Sequence, residues 1–437
     1  MSKTFEKFVA EWLATYVAEK MDTKQFGGKK GASIEHYLIE FVTFILYNQD
    51  LKEARAVLAA MVDFQKAFNR QDHTTLITIL ADMGVPGWLL FIIMGFLTDR
   101  VLVVAYMGED SQPKAMPGGG PQGTVLGMLL FLVLINQAGF QESEPTLGAQ
   151  LTMATNARKA INTMHAKFVD DLTIAESIDL RKALTVETDK TWNQPLNYHE
   201  RTKQVLKHES EVQKQLTSIS EYAVLNKMKI NQNKTKIMLF NNSKQNDFLP
   251  ELKLNGKNLE VVEQMKLLGV IITSDLKWHE NTNNIVKKAS KKMWILRRLR
   301  NLGASRSTLL DIYMKYVRSV VEFSTVVWHA GLTKENTEQI ERVQKAAFAI
   351  ILGGNYKSYE NACTVLSMMK LAERREKLSL NFANKAVWHP EHKEWFAPQV
   401  QTYNTRTPIK PFKPAQAKTQ RLLNSAIPHM THLLNTC

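Results

Sequence analysis

Two cysteines in 437 residues, Cys363 and Cys437, cannot build a disulfide framework, and neither sits in a Cys-His cluster with zinc-ligand spacing. A disulfide-stapled scaffold and a structural zinc site are therefore not expected. Long apolar runs are missing too: the longest, 88–97 and 125–135, fall well short of the roughly 20 residues that a membrane-spanning helix needs. Both read as buried core segments, and no membrane partner is expected. Met1 is followed by a mixed amphipathic stretch in place of a basic cap and an apolar run, so no signal peptide is expected either. The reading is an intracellular chain, nuclear or cytoplasmic. Acidic residues are outnumbered, 42 against 56 Lys and Arg, for a net charge of +14. That imbalance favours a partner of dense negative charge, with nucleic acid first.

What is present is enough to bury a real core: 44% of the residues are apolar, and the length suits two or three domains. Apolar positions at helical spacing predict a helix over 4–21, followed by a basic, glycine-containing loop at 25–31. A second helix over 34–48, with one apolar face, leads to a short buried strand over 56–63 that delivers an acid at its end. Helical spacing returns at 76–83, 88–97 and 125–136, with a strand over 101–106 and a glycine-rich turn over 117–123 between them. Alternation around two adjacent acids predicts a tight hairpin over 167–175, whereas the polar stretch 189–215 has no clear pattern. A helix over 212–226 and strands over 236–240 and 267–273 complete an α+β unit. Three amphipathic helices follow, at 283–301, 307–324 and 334–352, the last stopping at Gly353. One or two more helices are expected beyond 354, and the proline-dotted basic segment 397–418 reads as a solvated linker. The expected division is 1–245, 246–353 and 354–437.

Chemistry concentrates in three acids. Alone, Asp63 would read as a helix cap or a surface charge. Asp170 and Asp171 are harder to dismiss, because Phe168, Val169 and Leu172 surround them, and adjacent like charges in an apolar hairpin are costly unless something positive neutralises them. Two divalent cations roughly 3.5–4 Å apart would do so, and such a pair serves in-line phosphoryl transfer. Hard oxygen ligands suit Mg²⁺, with Mn²⁺ as the substitute.

Three segments carry a family likeness. Val62-Asp63-Phe64-Gln65-Lys66-Ala67-Phe68, then Pro121-Gln122-Gly123-Thr124-Val125-Leu126-Gly127, then Phe168-Val169-Asp170-Asp171 resemble, in order, the central motifs of reverse transcriptases, specifically those of non-LTR (LINE-type) retrotransposons. Further likeness comes from Leu225-Asn226 through Lys234-Thr235-Lys236, from Leu267-Leu268-Gly269-Val270, and from Glu322 and Val327-Trp328-His329. The resemblance implies an α+β right-hand polymerase with palm, partial fingers and a helical thumb. Asp63, Asp170 and Asp171 would be its metal-binding and catalytic acids. RNA template, DNA primer and deoxynucleoside triphosphates would be its partners.

The same resemblance places Phe68 beneath the sugar of the incoming nucleotide, where its ring excludes a 2′-hydroxyl. Related RNA-dependent RNA polymerases typically carry an acid at that position. Gln122 and Gly123 would border the nucleotide or template, Lys234 would lie near the triphosphate, and Leu268 and Gly269 would belong to a hairpin gripping the primer end. The helix over 283–301 sets Ile285, Ala289, Met293, Leu296 and Leu299 against Lys287, Lys288, Lys291, Lys292 and three arginines, so its basic face suits an RNA–DNA duplex. Departures from the pattern are Asn69, Asn136-Gln137 and a generous spacing from Gln137 to Phe168, and by the resemblance Met1 is expected to fall inside the fingers, with no endonuclease domain expected in this chain. Two other readings stay open: a truncated, inactive remnant that only binds nucleic acid, and an organelle intron-encoded maturase.

Overall fold

The apolar run ending at Asp63 becomes β1 (Arg55–Val62), the middle strand of a five-stranded sheet. In a computed structural model, residues 2–52, 55–116, 118–136, 138, 150–153, 158–180, 184–188, 202–206, 209–241, 251–399 and 410–436 are described. Pro117, Gln137, Cys437 and the polar stretch 189–200 lie outside them. The other strands of the sheet are β2 (Thr163–Phe168), β3 (Asp171–Asp179), β4 (Lys236–Phe240) and β5 (Glu260–Val261), in the order β5-β4-β1-β3-β2. All neighbours run antiparallel except β4 and β5.

β1 is buried along nearly its whole length because both faces of the sheet are covered. Successive side chains point to opposite faces. Val57, Ala59 and Met61 accordingly join one core, and Ala56, Leu58, Ala60 and Val62 join another. The second core is built by α1 (Ser2–Val17), α3 (His73–Asp82), α4 (Gly87–Leu97), α5 (Val125–Ile135) and α6 (Glu211–Leu225). The first is built on α2 (Ile34–Gln49) and continues into the C-terminal helices.

Several expectations change here. α2 is buried all round from His36 to Asn48, not on one face, because the sheet covers one side and C-terminal helices cover the other. The segment 88–97 is only partly core: Leu89, Ile93 and Leu97 are buried, while Trp88 and Phe91 are exposed. The expected strand over 101–106 splits into pieces of two exposed ribbons, Arg100–Leu102 with Lys114–Met116 and Ala105–Tyr106 with Glu109–Asp110. The strand expected from the apolar pattern over 267–273 is instead the hairpin that the resemblance implied there, β6 (Gln264–Leu267) and β7 (Val270–Thr273), whose turn is Leu268-Gly269.

Beyond it, α7 (His279–Asn301), α8 (Arg306–Ile312) and α9 (Lys334–Leu352) pack against one another. Tyr313–Arg318 forms a π-helical stretch after α8, which interrupts the expected continuous helix over 307–324. Gly353, at φ +59°, ends α9. α10 (Leu371–Trp388) and α11 (Ala426–Leu434) close the chain. The described part of the expected linker is pinned: the backbone N–H groups of Lys418 and Thr419 donate to the buried Asp50 carboxylate, which also pairs with buried Arg158 at 2.9 Å. Among the described residues no helix is long and apolar enough to cross a membrane.

Candidate active site

The register of the sheet assembles the acids. Antiparallel pairing of β1 with β3 ends at Val62 opposite Leu172, and one further step sets Asp63 beside Asp171. β2 and β3 are joined by a two-residue turn, Val169-Asp170, closed by the pair Phe168 and Asp171. Asp63 leaves β1 with its N–H on the Thr235 hydroxyl (3.3 Å) and its carbonyl accepting from Asn231 N–H (2.7 Å). The same Asn231 carbonyl accepts from Lys234 N–H and Thr235 N–H, a tight turn that sets the Lys234 ammonium 3.9 Å from the Asp63 carboxylate.

A cleft of about 190 Å³ opens over these groups, lined by Asp63, Asp171, Lys234 and Leu268 among others. The turn carrying Leu268 and Gly269 has positive φ at both residues (+46° and +92°), the pattern of a type I′ hairpin. A Cβ on Gly269 would lie 2.8 Å from the Phe323 ring, so the turn is seated on the helical region that follows.

Charge at the site is unbalanced. Burial, then the charges of Asp170 and Asp63, pushes the Asp171 carboxyl up to about 6. Asp170 is raised as well, by burial first and by Asp63. Lys234 opposes both shifts, but its side chain is largely exposed and is one ammonium against three carboxylates. An all-oxygen, electron-rich cluster on two adjoining strand ends fits divalent cations.

Phe68 follows Asp63 through a tight turn into a 3₁₀ turn, Phe68–Arg70, and stacks on buried Phe131 of α5 at 4.4 Å and 24°. The glycine turn lies against this segment: Gly120 N–H donates to the Phe68 carbonyl, and Gly119 N–H to that of Gln71. Gln122 is exposed and contacts the Asn69 amide at 3.4 Å. Gly123, at φ +79°, faces open space. Phe68 and Gln122 thus form a second group beside the acidic cleft. On α7, Ile285, Ala289, Met293 and Leu296 are buried as expected, whereas Leu299 is only half-buried. Lys287, Lys288 and Lys291 are exposed, and Lys292 is half-buried on the flank. Sequence reasoning passed over Trp294, 62% exposed on the stripe Lys287, Lys291, Trp294, Arg298, although its spacing could have revealed it.

Among the described residues one other cluster offers metal-ligating groups, His389, Glu391 and His392. Its ligand atoms lie within 4.8 Å of one another, but the two imidazoles stack at 4.5 Å and 18°, and Glu391 already pairs with Lys29.

A central, mainly antiparallel sheet with acids at the end of its middle strand and on the neighbouring hairpin, followed by a basic helical bundle, is the arrangement of a right-hand polymerase fold. Residues 1–194 match the family model described as reverse transcriptase (RNA-dependent DNA polymerase). The chain is similar to two Drosophila melanogaster proteins: "Probable RNA-directed DNA polymerase from transposon BS", 24% identical over 383 residues, and "RNA-directed DNA polymerase from mobile element jockey", 23% identical over 399 residues. These matches cover 87% and 89% of this chain but 38% and 39% of those proteins, so the chain spans less than two fifths of the length of these relatives. Among solved structures, apo telomerase from Candida tropicalis aligns with a TM-score of 0.40 at 10% identity, over 90% of this chain and 60% of that one.

Proposed function

We propose that this chain is the polymerase portion of a non-LTR retrotransposon enzyme, which extends a DNA primer on an RNA template with deoxynucleoside triphosphates. The observation that carries this reading is the convergence of Asp63 and Asp171 in one cleft with Lys234 and the Leu268 turn, with Asp170 at the adjoining hairpin tip. Asp63, Asp170 and Asp171 would hold divalent cations, Mg²⁺ by the hardness of their oxygens. Bound there, such ions supply Lewis-acid polarisation and a more acidic primer hydroxyl.

The chain's own groups do the rest. The Lys234 Nζ balances triphosphate charge and holds a proton that the departing pyrophosphate can take. Phe68, braced by Phe131, presents a fixed ring edge against a 2′-hydroxyl and so selects deoxynucleotides. Gln122, beside Asn69, borders the nucleotide or template. The exposed lysines of α7 attract the phosphates of the template–primer duplex.

Incorporation of labelled deoxynucleotide on a primed RNA template tests the reading, with Asp170→Ala as the paired control. Template-dependent signal that disappears in the variant is expected. Equal signal in both proteins rules the mechanism out.

A further inference from the structure

The turn that carries the acids is strained. Val169 holds φ +60°, a region that a β-branched residue almost never enters unaided. Only the first of its two turn residues has positive φ, the pattern of a type II′ turn, where glycine is the usual occupant. Something outside the hairpin must hold Val169 there.

A strap from the N-terminal region does so. Residues Lys24 to Phe26 lie parallel to the free edge of β2: Lys167 N–H donates to the Lys24 carbonyl (2.9 Å), and Phe26 N–H to the Lys167 carbonyl (2.8 Å). This registers buried Gln25 on the turn. Its Oε1 accepts from Val169 N–H at 3.0 Å and from Gly27 N–H at 2.9 Å, and its Nε2 donates to the Val169 carbonyl at 3.4 Å. One amide therefore grips both polar groups of the strained residue. Gly27 closes the other side, where a Cβ would lie 2.5 Å from the Val169 nitrogen.

The root of the strap is anchored separately. The Asp22 carboxylate contacts His165 (2.8 Å) and the buried Lys167 ammonium (2.7 Å), and Lys167 also donates to the Asn136 carbonyl just past α5. Asn136 accepts from Asp22 N–H and donates to the Lys20 carbonyl.

We propose that Gln25 is a positioning residue for the metal-binding turn: by gripping both sides of Val169 it sets the direction in which Asp170 and Asp171 present their carboxylates. The inference rests on the polymerase reading of those acids. Outer groups that orient metal ligands typically carry about 10–100-fold in affinity when removed.

The test is Mn²⁺ binding to the full chain by electron paramagnetic resonance, with activity as a separate readout. Gln25→Met keeps the volume and removes all three contacts; Gly27→Ala displaces Val169 without touching Gln25. Both are expected to weaken Mn²⁺ binding about tenfold or more, and to raise the metal needed for half-maximal activity in step. Asp22→Asn loosens only the root and is expected to lower the melting temperature with little change in Mn²⁺ affinity. Affinity within about twofold of wild type in folded Gln25→Met and Gly27→Ala overturns the inference, as does an equal loss in Asp22→Asn. If instead the unaltered chain binds Mn²⁺ no better than Asp170→Ala does, the polymerase reading itself has failed.

Discussion

Charge reversal on α7 gives the sharpest quantitative prediction. Lys287 and Lys291 stand on a stripe with Trp294 and Arg298, opposite the buried Ile285, Ala289, Met293 and Leu296. Among the described residues neither lysine pairs with an acid, so replacing both with Glu leaves the fold intact. Each lysine that neutralises a phosphate contributes about 0.7–0.9 to the slope of log affinity against log salt. Losing two contacts flattens the slope by about 1.6, roughly a tenfold difference between about 50 and 200 mM salt. Fluorescence anisotropy of a labelled RNA–DNA template–primer, titrated across that range, measures it. The double variant should bind more weakly at low salt and converge towards wild type at high salt. A slope unchanged from wild type, in a protein with an unchanged melting temperature, would refute the docking of duplex phosphates on this face. Lys292 is half-buried on the flank, so its replacement with Gln should change the slope less than Lys287→Gln does.

Two further perturbations follow from the same structure. Phe68→Val shortens the ring held on Phe131 and should raise ribonucleotide use relative to deoxynucleotide by about 10–100-fold in kcat/KM, the range that small steric differences command; unchanged discrimination would remove Phe68 from that role. Stability should fall on acidification: burial, with neighbouring charges adding to it, holds His36 down to about 4, His329 to about 3 and His392 to about 2, from an ordinary 6.5. Between pH 6.5 and about 4 the unfolded chain takes up protons that these folded imidazoles refuse, so stability is full above 6.5 and declines as pH drops. His392→Phe, which keeps the stacking with His36 and Trp395, should flatten the dependence of melting temperature on pH; a slope as steep as wild type would contradict this.

Much of the site is legible along the chain because its parts are local. The run into Asp63, the alternation around Asp170 and Asp171, and the lysines interleaved with an apolar stripe each show within a few residues, since strand and helix periods are local properties. Even β4 and α9 end where the pattern predicts. The hairpin at Leu268-Gly269 is harder, because Leu267 to Thr273 is apolar enough to pass for one strand and only the turn conformation divides it. The pinned C-terminal segment is harder still: a proline-dotted basic stretch looks solvated until Asp50, more than 360 residues earlier, is known to face it.

The three acids are where the division shows most clearly. Residue type and spacing alone determined that Asp63 ends a strand and that Asp170 and Asp171 share a hairpin, and so what chemistry they suit. Only the tertiary structure decided that Gln25, in what reads as a plain basic loop, reaches across 144 positions to grip Val169. Local pattern cannot carry that information, because a strand edge accepts any extended segment and partner choice is set by where the rest of the chain, here Asp22 on Lys167 and Asn136 past α5, brings the two together.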